Sequence, residues 1–532
     1  MKIAQFSTND IGMPSMDLYD FGTNNFHDPR NEKITRTQLL SEYSVSSFLL
    51  TSIYQKLYHR HLRIEHSLGD GFYYVDSEGV EITDDIIKCL SKEFDEILRS
   101  DKPIEVTTIS RSELIKYFKK AKSYDKVGVL KVWQDPIIPI IKYEDFIDYI
   151  IEPVNTNKFR LKIYELRRYE NGVLMRLPTL LNPTSIRPYK DPNVHHFMFK
   201  EYEEWAKLLN IDSITKLNHS IYTKDIMKIK LVAEGLHEKK ISKIAHKLCK
   251  NFKNKKIITI AGPSSSNKTT FAKRLEIQLM VNGYDALIIE MDDYFKDSCQ
   301  IPFGSDGLQD FEHISSMNLE LLGERVHNLL DGKTVPKRKF NFKKGVGIDD
   351  EINKIKLEKN AFLILEGIHG LNPELLKAIG SQNVTPIYVS ALTPLNIDYN
   401  HRFPTSDLRL IRRIIRDNNY RGQSARTTIR RWTSIRIGEE RNIFPYQENA
   451  ELFFNSSLVY ELPVLSIYGK VLLSEATEPS EDEDPDSPDS IEITNEAKRL
   501  LKLLNLFYPL PPGVVPTISC IREFIGNSEL KY

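Results

Sequence analysis

Residues 257–275 read IITIAGPSSSNKTTFAKRL, an apolar run followed by a turn from Gly262 and a stretch from Lys268 that favours a helix. The segment follows the G-x-x-x-x-G-K-[ST] pattern of phosphate-binding loops except at Asn267, which replaces the second glycine. Strand, lysine, threonine pair and helix are all in register, so we predict that this segment binds nucleotide phosphates. Asn adopts positive φ more readily than most residues, so the backbone is expected to tolerate the change.

The composition is that of an ordinary globular protein of more than one domain, with 532 residues. Lysine plus arginine equal aspartate plus glutamate at 73 each, a balance that argues against a dedicated nucleic-acid binder. The four cysteines lie far apart and form no metal-ligand pair, which is typical of a reducing compartment. No long apolar run and no basic leader is present, so the sequence predicts a cytoplasmic protein without a membrane span.

The chain divides into segments that differ in composition and periodicity. β-prone runs alternate with helical stretches after residue 253, which predicts an α/β fold with a mainly parallel sheet wrapped by helices, preceded by an α+β domain. The predicted segments are a loose leader (1–40), the α+β domain (41–180), a helical connector (181–252), the nucleotide-binding domain (253–475), an acidic disordered loop (476–493) and a C-terminal helical tail (494–532).

Local signals place individual elements. Thr83, followed by acids, is a predicted N-cap, and Asn171-Gly172 is a predicted two-residue hairpin turn. The predicted strands of the α/β domain are IITIAG, DALIIEMDD, AFLILEGI, TPIYVSA and VYELPVL.

Two of these strands end in carboxylates. The carboxyl ends of parallel strands share one edge, so Asp292 and Glu366 are expected beside the phosphate loop. Asp292 could take a proton from an attacking hydroxyl or hold Mg²⁺ through water, and the alternative is a helix cap or turn acid. His369 follows three residues after Glu366 and could touch substrate, although a lone histidine is more often structural.

A basic stripe lies in SDLRLIRRIIRDNNYRG. Its arginines at 409, 412, 413 and 416 fall on one helical face, and Arg421 follows in the turn. Beside a phosphate loop such a stripe predicts a lid that clamps the transferring phosphoryl group, and the alternative is a solvated face.

These pieces, in this order and spacing, resemble the uridine kinase/phosphoribulokinase family of P-loop kinases. The stretches EGIHGLNP, VSALTPLNID and GEERNIFPYQENAELFFNSSLVYEL are similar to the long bacterial-type nucleoside kinases of that family. HSLGDGFYYVDSEGVEITDD and YENGVLMRLP resemble the threonyl-tRNA synthetase-like region that precedes the kinase domain in those proteins.

The resemblance implies an ATP-dependent kinase with Mg²⁺ that phosphorylates a hydroxyl of a nucleoside, uridine- or cytidine-like, or of a related small molecule. The implied catalytic residues are Asp292, as general base, Lys268, Arg409 and Arg413. The implied ATP-binding residues are Gly262, Ser264, Ser265, Ser266, Asn267, Lys268, Thr269, Thr270, Arg412, Arg416 and Arg421. Asp310, Phe340 and His369 are implied for the acceptor, and Thr269 and Glu366 for the metal.

The sequence departs from the family pattern at several positions. Besides Asn267, Phe340 and Asn341 stand where uridine kinases tend to have Tyr-Asp, and the synthetase-like helix lacks the H-x-x-x-H pair, so no metal-dependent editing is expected. These departures leave a second hypothesis open, a catalytically impaired nucleotide-binding pseudokinase or regulatory protein. RNA binding by the front half is a third hypothesis, and homo-oligomerisation is left open.

Overall fold

Two antiparallel sheets and four helices form the N-terminal part of the described chain. The computed structural model describes residues 34–191, 193–303, 309–342, 344–393 and 395–531, with the side chains of 193–197 and 207 outside the description. The helices are Arg36–Tyr58 (α1), Asp84–Arg99 (α2), Arg111–Lys120 (α3) and Tyr124–Val132 (α4). The strands are Leu62–Leu68 (β1), Gly71–Asp76 (β2), Glu105–Ser110 (β3), Ile137–Tyr143 (β4), Phe146–Tyr149 (β5), Glu165–Tyr169 (β6) and Gly172–Arg176 (β7).

The four-stranded sheet has the order β1-β2-β7-β6, and the three-stranded sheet has the order β3-β4-β5. Strand β1 alternates buried and half-buried residues, the pattern of a sheet with one face on a core. That face packs with α1 and α2, whose Leu50, Leu90 and Phe94 are buried in one apolar cluster with Ile64. The predicted cap of α2 is confirmed, since the Thr83 side chain accepts a hydrogen bond from the Ile86 N–H.

The β6–β7 hairpin is present, but its turn differs from the prediction by one residue. Tyr169 pairs with Gly172, so the two turn residues are Glu170 and Asn171. Glu170 has φ 44°. Gly172 lies inside the ladder, where a Cβ would come within 2.1 Å of the Tyr74 carbonyl oxygen. The glycine is therefore required by the close approach of β2 and not by a positive φ.

Helix α1 begins inside the segment predicted as a loose leader. Thr35 and Gln38 form a capping box at its start, each side chain binding the backbone N–H of the other residue. The rest of the predicted leader, residues 1–33, lies outside the described residues. Three helices follow the N-terminal sheets in the predicted connector region, at Asn193–Leu209 (α5), Ile214–Tyr222 (α6) and Ile226–Lys250 (α7).

A parallel sheet of five strands occupies the centre of the described C-terminal half. Its strands are Ile257–Ala261 (β8), Asp285–Glu290 (β9), Ala361–Glu366 (β12), Val384–Ser390 (β13) and Leu452–Asn455 (β14), in the order β14-β13-β8-β12-β9. The three inner strands are buried along their whole length, which explains why their sequences are continuous apolar runs. A separate hairpin pairs Thr334–Asn341 (β10) with Val346–Lys356 (β11).

Helices flank this sheet, so the predicted α/β fold with a parallel sheet is confirmed. The helices described after β8 are Lys268–Val281 (α8), Leu319–Leu330 (α9), Pro373–Ile379 (α10), Thr405–Arg421 (α11), Ala425–Asn442 (α12), Glu461–Ala476 (α13), Pro488–Leu504 (α14) and Arg522–Ile525 (α15). Among the described residues, none of the helices combines the length and the apolar content that crossing a membrane requires.

The prediction of a strand at VYELPVL is wrong. This stretch turns into α13, and the strand at that sheet edge is β14, formed by LFFN. Pro463 lies in the first turn of α13, where its missing N–H costs no intrahelical hydrogen bond. A short apolar run does not distinguish a buried strand from a buried helix, and α13 is buried along most of its length.

The acidic segment is more ordered than the predicted disordered loop. Helix α14 begins at Pro488 within it, with Ser487 as its N-cap. Glu483 forms ion pairs with Arg426 and Arg430 of α12. Composition alone does not reveal these partners, because they lie more than fifty residues earlier in the chain.

Candidate active site

The phosphate loop runs from β8 to α8 and leaves backbone donors unused. A Cβ at Gly262 would lie 1.9 Å from the Val389 carbonyl oxygen, so the loop can pass β13 only as glycine. Positive φ angles at Ser265 and Asn267, 57° and 65°, curl the chain. Within the described chain, the N–H groups of Ser265, Ser266 and Asn267 have no hydrogen-bond acceptor. Curled backbone donors ahead of a helix N-terminus form a cradle for an anion.

Asn267 keeps the left-handed backbone, and its side chain points away from this cradle. Its Nδ2 donates to the Cys520 carbonyl oxygen and to Glu523 Oε2, both at 2.9 Å. Thr270 donates to the same Glu523 carboxylate. The residue that replaces the glycine therefore attaches the loop to the C-terminal segment.

Lys268, Thr269 and Glu366 meet at the start of α8. Thr269 Oγ1 donates to Glu366 Oε2 at 3.1 Å, and Lys268 Nζ lies 3.9 Å from Glu366 Oε1. Burial raises the pKa of Glu366 to about 7, although the charge of Lys268 lowers it. A hydroxyl and a carboxylate are oxygen ligands of the kind that Mg²⁺ takes together with substrate phosphates and water. The residues fit the metal that the sequence predicted.

Asp292 lies at the same edge of the sheet. Strands β9 and β12 pair in parallel register, with Glu290 opposite Glu366, so the residue two positions after Glu290 follows at their carboxyl ends. The Asp292 side chain is exposed to solvent, yet loss of hydration to the surrounding protein raises its pKa, whereas the charge of Lys268 lowers it. Asp292 has no hydrogen-bond or ion-pair partner among the described residues, whereas Asp293 accepts from the Phe340 N–H at 3.1 Å.

Two of the predicted lid arginines are buried supports of the loop. Arg409 donates from Nε to the Ser264 carbonyl oxygen at 2.9 Å, and Arg412 donates from Nη1 to the Ser265 carbonyl oxygen at 3.2 Å. Their side chains are 2% and 0% exposed. Because the carbonyl oxygens lie on the back of the cradle, the predicted lid role of Arg409 and Arg412 is corrected to one of fixing the loop.

Three further arginines of α11 carry the positive charge on this side of the site. Arg413 donates to Ser264 Oγ at 2.7 Å. Arg413, Arg416 and Arg421 all lie within 4 Å of the single carboxylate of Asp417, at 3.2, 2.8 and 3.6 Å. Three guanidinium groups share one buried acid, so the cluster keeps a surplus of positive charge, which is suited to attract anions.

Comparison with known proteins agrees with this geometry. Residues 257–459 match the model of the phosphoribulokinase/uridine kinase family. A uridine kinase of Halalkalibacterium halodurans is 30% identical over 180 residues, which cover 34% of this chain and 75% of that protein. The chain belongs to the phosphoribulokinase/uridine kinase family.

A second uridine kinase is similar to the same extent, and a solved structure is more distant. A uridine kinase of Ligilactobacillus salivarius is 30% identical over 178 residues, 34% of this chain and 74% of that protein. A solved structure described as a possible uridine kinase from Bacillus stearothermophilus shares 15% identity, covers 40% of this chain and 97% of that chain, and has a TM-score of 0.26.

The residues predicted to bind the acceptor, Asp310, Phe340 and His369, differ in burial and in their contacts. Asp310 Oδ1 accepts from the Glu312 N–H at 3.0 Å. His369 is 2% exposed, and burial lowers its pKa to about 3, so its ring is neutral. The Phe340 ring is 7% exposed and packs on Phe295, so the predicted substrate contact of Phe340 is corrected to a core position.

Two acids of the site were missed by the sequence interpretation. Glu439 accepts from the Ser264 N–H at 3.1 Å and pairs with Arg409, which, with Arg436, holds its pKa low despite burial. Burial and the charge of Glu439 raise the pKa of Glu312 to about 7. The position of Glu312, two residues after Asp310, is a weak indication that it belongs to the site. Nothing in the sequence distinguishes Glu439 from the other charged residues of its helix.

Proposed function

We propose that this protein is an ATP-dependent kinase that transfers the γ-phosphoryl group to a hydroxyl of a nucleoside or a related small molecule. The observation that carries the proposal is the carboxylate of Asp292, which has no partner among the described residues and lies at the sheet edge that also holds the phosphate loop and Lys268. A carboxylate with a raised pKa and no protein partner is suited to accept a proton from a substrate hydroxyl.

The loop and Lys268 would bind the nucleotide phosphates, and Thr269 and Glu366 would hold Mg²⁺. When bound, the metal supplies positive charge to the phosphate oxygens. Arg413, Arg416 and Arg421 would offset the charge that develops on the transferring group, because their shared acid leaves them in surplus. The side chain of Asn267 faces the C-terminal segment, so it does not crowd the phosphates.

A nucleoside is the acceptor class that we favour. The relatives named above are uridine kinases, and an aromatic ring is available where a base could stack. Phe342, at the end of β10, is 63% exposed and lies 4.9 Å from the buried Phe340 ring, centroid to centroid. Phenyl rings stack on any base without hydrogen bonding to it, so this surface favours a broad nucleoside range over strict uridine specificity. The cytoplasm remains a prediction from the sequence.

ATP turnover by the purified chain with Mg²⁺, against a panel of nucleosides and small polyols, tests the proposal. We expect turnover with at least one nucleoside, and a loss of about 10²-fold or more in kcat for Asp292→Asn and for Lys268→Ala. Lys273→Ala, on the same helix α8, is the matched control and should keep its activity. Unchanged turnover in both site variants would refute the assignment.

A further inference from the structure

A cavity in the N-terminal part of the chain lies apart from the phosphate loop. It is bounded by α1, by both N-terminal sheets and by the segment 397–404 that leads into α11, and it encloses about 750 Å³ of empty space including its mouth. Aromatic and aliphatic side chains form most of its wall, among them Tyr43, Phe48, Phe72, Ile141 and Ile397. A largely apolar lining with a few polar groups is of the kind that holds a small organic molecule.

One cation in this wall has unused hydrogen-bond donors. Arg402 is 9% exposed, and its Nε and Nη2 have no hydrogen-bond partner within the described chain. Burial lowers the pKa of Arg402 to about 10, so the group stays charged at neutral pH. Burying a charge without a partner is costly, and folded proteins pair nearly all such groups.

The other charged residues of the cavity wall already have partners. Asp148 accepts from Lys126 Nζ at 2.6 Å, and Glu152 accepts from Arg499 Nη1 at 3.0 Å. His401 Nδ1 lies 2.8 Å from Asp398 Oδ2. Arg402 differs from them, because its Nε and Nη2 have no acceptor among the described residues, although Asp407 is near enough to raise its pKa.

We propose that this cavity binds a small organic carboxylate with an apolar or aromatic body. The carboxylate would pair with the guanidinium of Arg402, which lines the cavity. The body would lie on the aromatic wall. A single negative charge matches Arg402, whose Nε and Nη2 have no acceptor within the described part of the chain, whereas a dianion would also face the nearby acids Asp148 and Glu152.

The site is tested by calorimetric titration of the full chain with two probes that share the naphthalene ring, 1-naphthoate with an anionic head group and 1-naphthylmethanol with a neutral one. We expect saturable one-site binding of naphthoate, at least about tenfold tighter than the alcohol. Arg402→Gln should remove that tenfold difference and leave alcohol binding in place. Arg99→Gln, whose side chain is 76% exposed on α2, is the matched control and should behave as the parent.

A second variant keeps the test decisive if Arg402→Gln does not fold. Ser44→Phe adds a ring to the cavity wall from the half-buried face of α1 and should weaken the binding of both probes. Equal affinities of the two probes for the parent protein, or naphthoate affinity that is unchanged in both Arg402→Gln and Ser44→Phe, would overturn the proposal.

Discussion

At the scale of single residues, the phosphate loop shows how a substitution can move a side chain without moving the backbone. Asn267 adopts the left-handed conformation that the loop needs, with φ 65° and ψ 35°. Gly and Asn adopt this conformation at low cost. Residues such as Ala, which have a Cβ but no polar side chain to hydrogen-bond locally, adopt it at a higher cost. The amide is used elsewhere, on Cys520 and Glu523.

Replacing Asn267 separates its two contributions. Asn267→Gly should lose the contacts to the C-terminal segment, at a cost of about 1–3 kcal/mol, but keep the loop conformation. Asn267→Ala should lose the same contacts and add about 1 kcal/mol of backbone strain. Urea unfolding of the two variants measures the difference, and equal stability would show that the left-handed conformation is not retained. ATP affinity of the glycine variant should stay near that of the parent.

Glu366 makes stability depend on pH. The pKa of Glu366 in the folded state, about 7, lies above the ordinary value of 4.5, so between these values the folded state binds more protons and stability falls as pH rises. Glu366→Gln removes this dependence. The free energy of unfolding of the variant, relative to that of the parent, should therefore rise by up to roughly 3 kcal/mol from pH 4.5 to pH 7.5. Unfolding in urea with EDTA at both pH values measures it. A constant difference between the two proteins would argue against the raised pKa.

At the scale of elements, α11 connects the loop to the rest of the kinase domain. Arg412 binds the Ser265 carbonyl oxygen with one nitrogen and forms a buried ion pair with Glu461 of α13 with the others. Arg409 does the same with Ser264 and Glu439 of α12. Three helices therefore fix the loop through two guanidinium groups.

Arg412→Met should destabilise the protein by about 3–5 kcal/mol, because it leaves Glu461 buried without its cation. The double variant Arg412→Met, Glu461→Leu should recover part of this loss, since no unpaired charge remains. Arg421→Met is the control, since its side chain is 53% exposed, and should cost less than about 1 kcal/mol. Denaturant unfolding ranks the three. A double variant less stable than Arg412→Met would contradict the electrostatic explanation.

At the scale of the whole molecule, the N-terminal α+β part and the kinase domain share a buried charge network. Arg36, in the first turn of α1, pairs with Asp407 of α11 and Glu496 of α14. Arg499 of α14 binds Asp407 at 2.6 Å and Glu152 at 3.0 Å. Buried networks of this kind couple the elements that contribute to them, because removing one member leaves the others unsatisfied.

Arg36→Met should therefore destabilise both parts of the chain together, by about 3 kcal/mol. Trp133 reports on the N-terminal part and Trp432 on α12, and both are buried. With each tryptophan isolated by Trp→Phe changes, the two unfolding transitions should coincide and shift together in Arg36→Met. Arg99→Met, at an exposed site, should leave them in place. Separate transitions would mean that the two parts unfold independently.

The sequence by itself determined the loop, the edge of the sheet and the reaction class. Gly262 and Asp292 directly follow apolar strands and Glu366 ends one, and parallel strands present their carboxyl ends at one edge, so these residues lie together. The apolar runs of the strands and the residue spacing of the phosphate-loop motif are local patterns. They do not depend on residues far away in the sequence.

The tertiary structure decided what the side chains do once they are there. It turned Asn267 toward Cys520, buried Arg409 and Arg412 behind the loop, made VYELPVL a helix and left Arg402 beside a cavity. Each of these outcomes depends on a partner far away in the sequence, more than 250 residues away for Asn267. Burial and pairing are properties of such contacts, and no local pattern of residues encodes them.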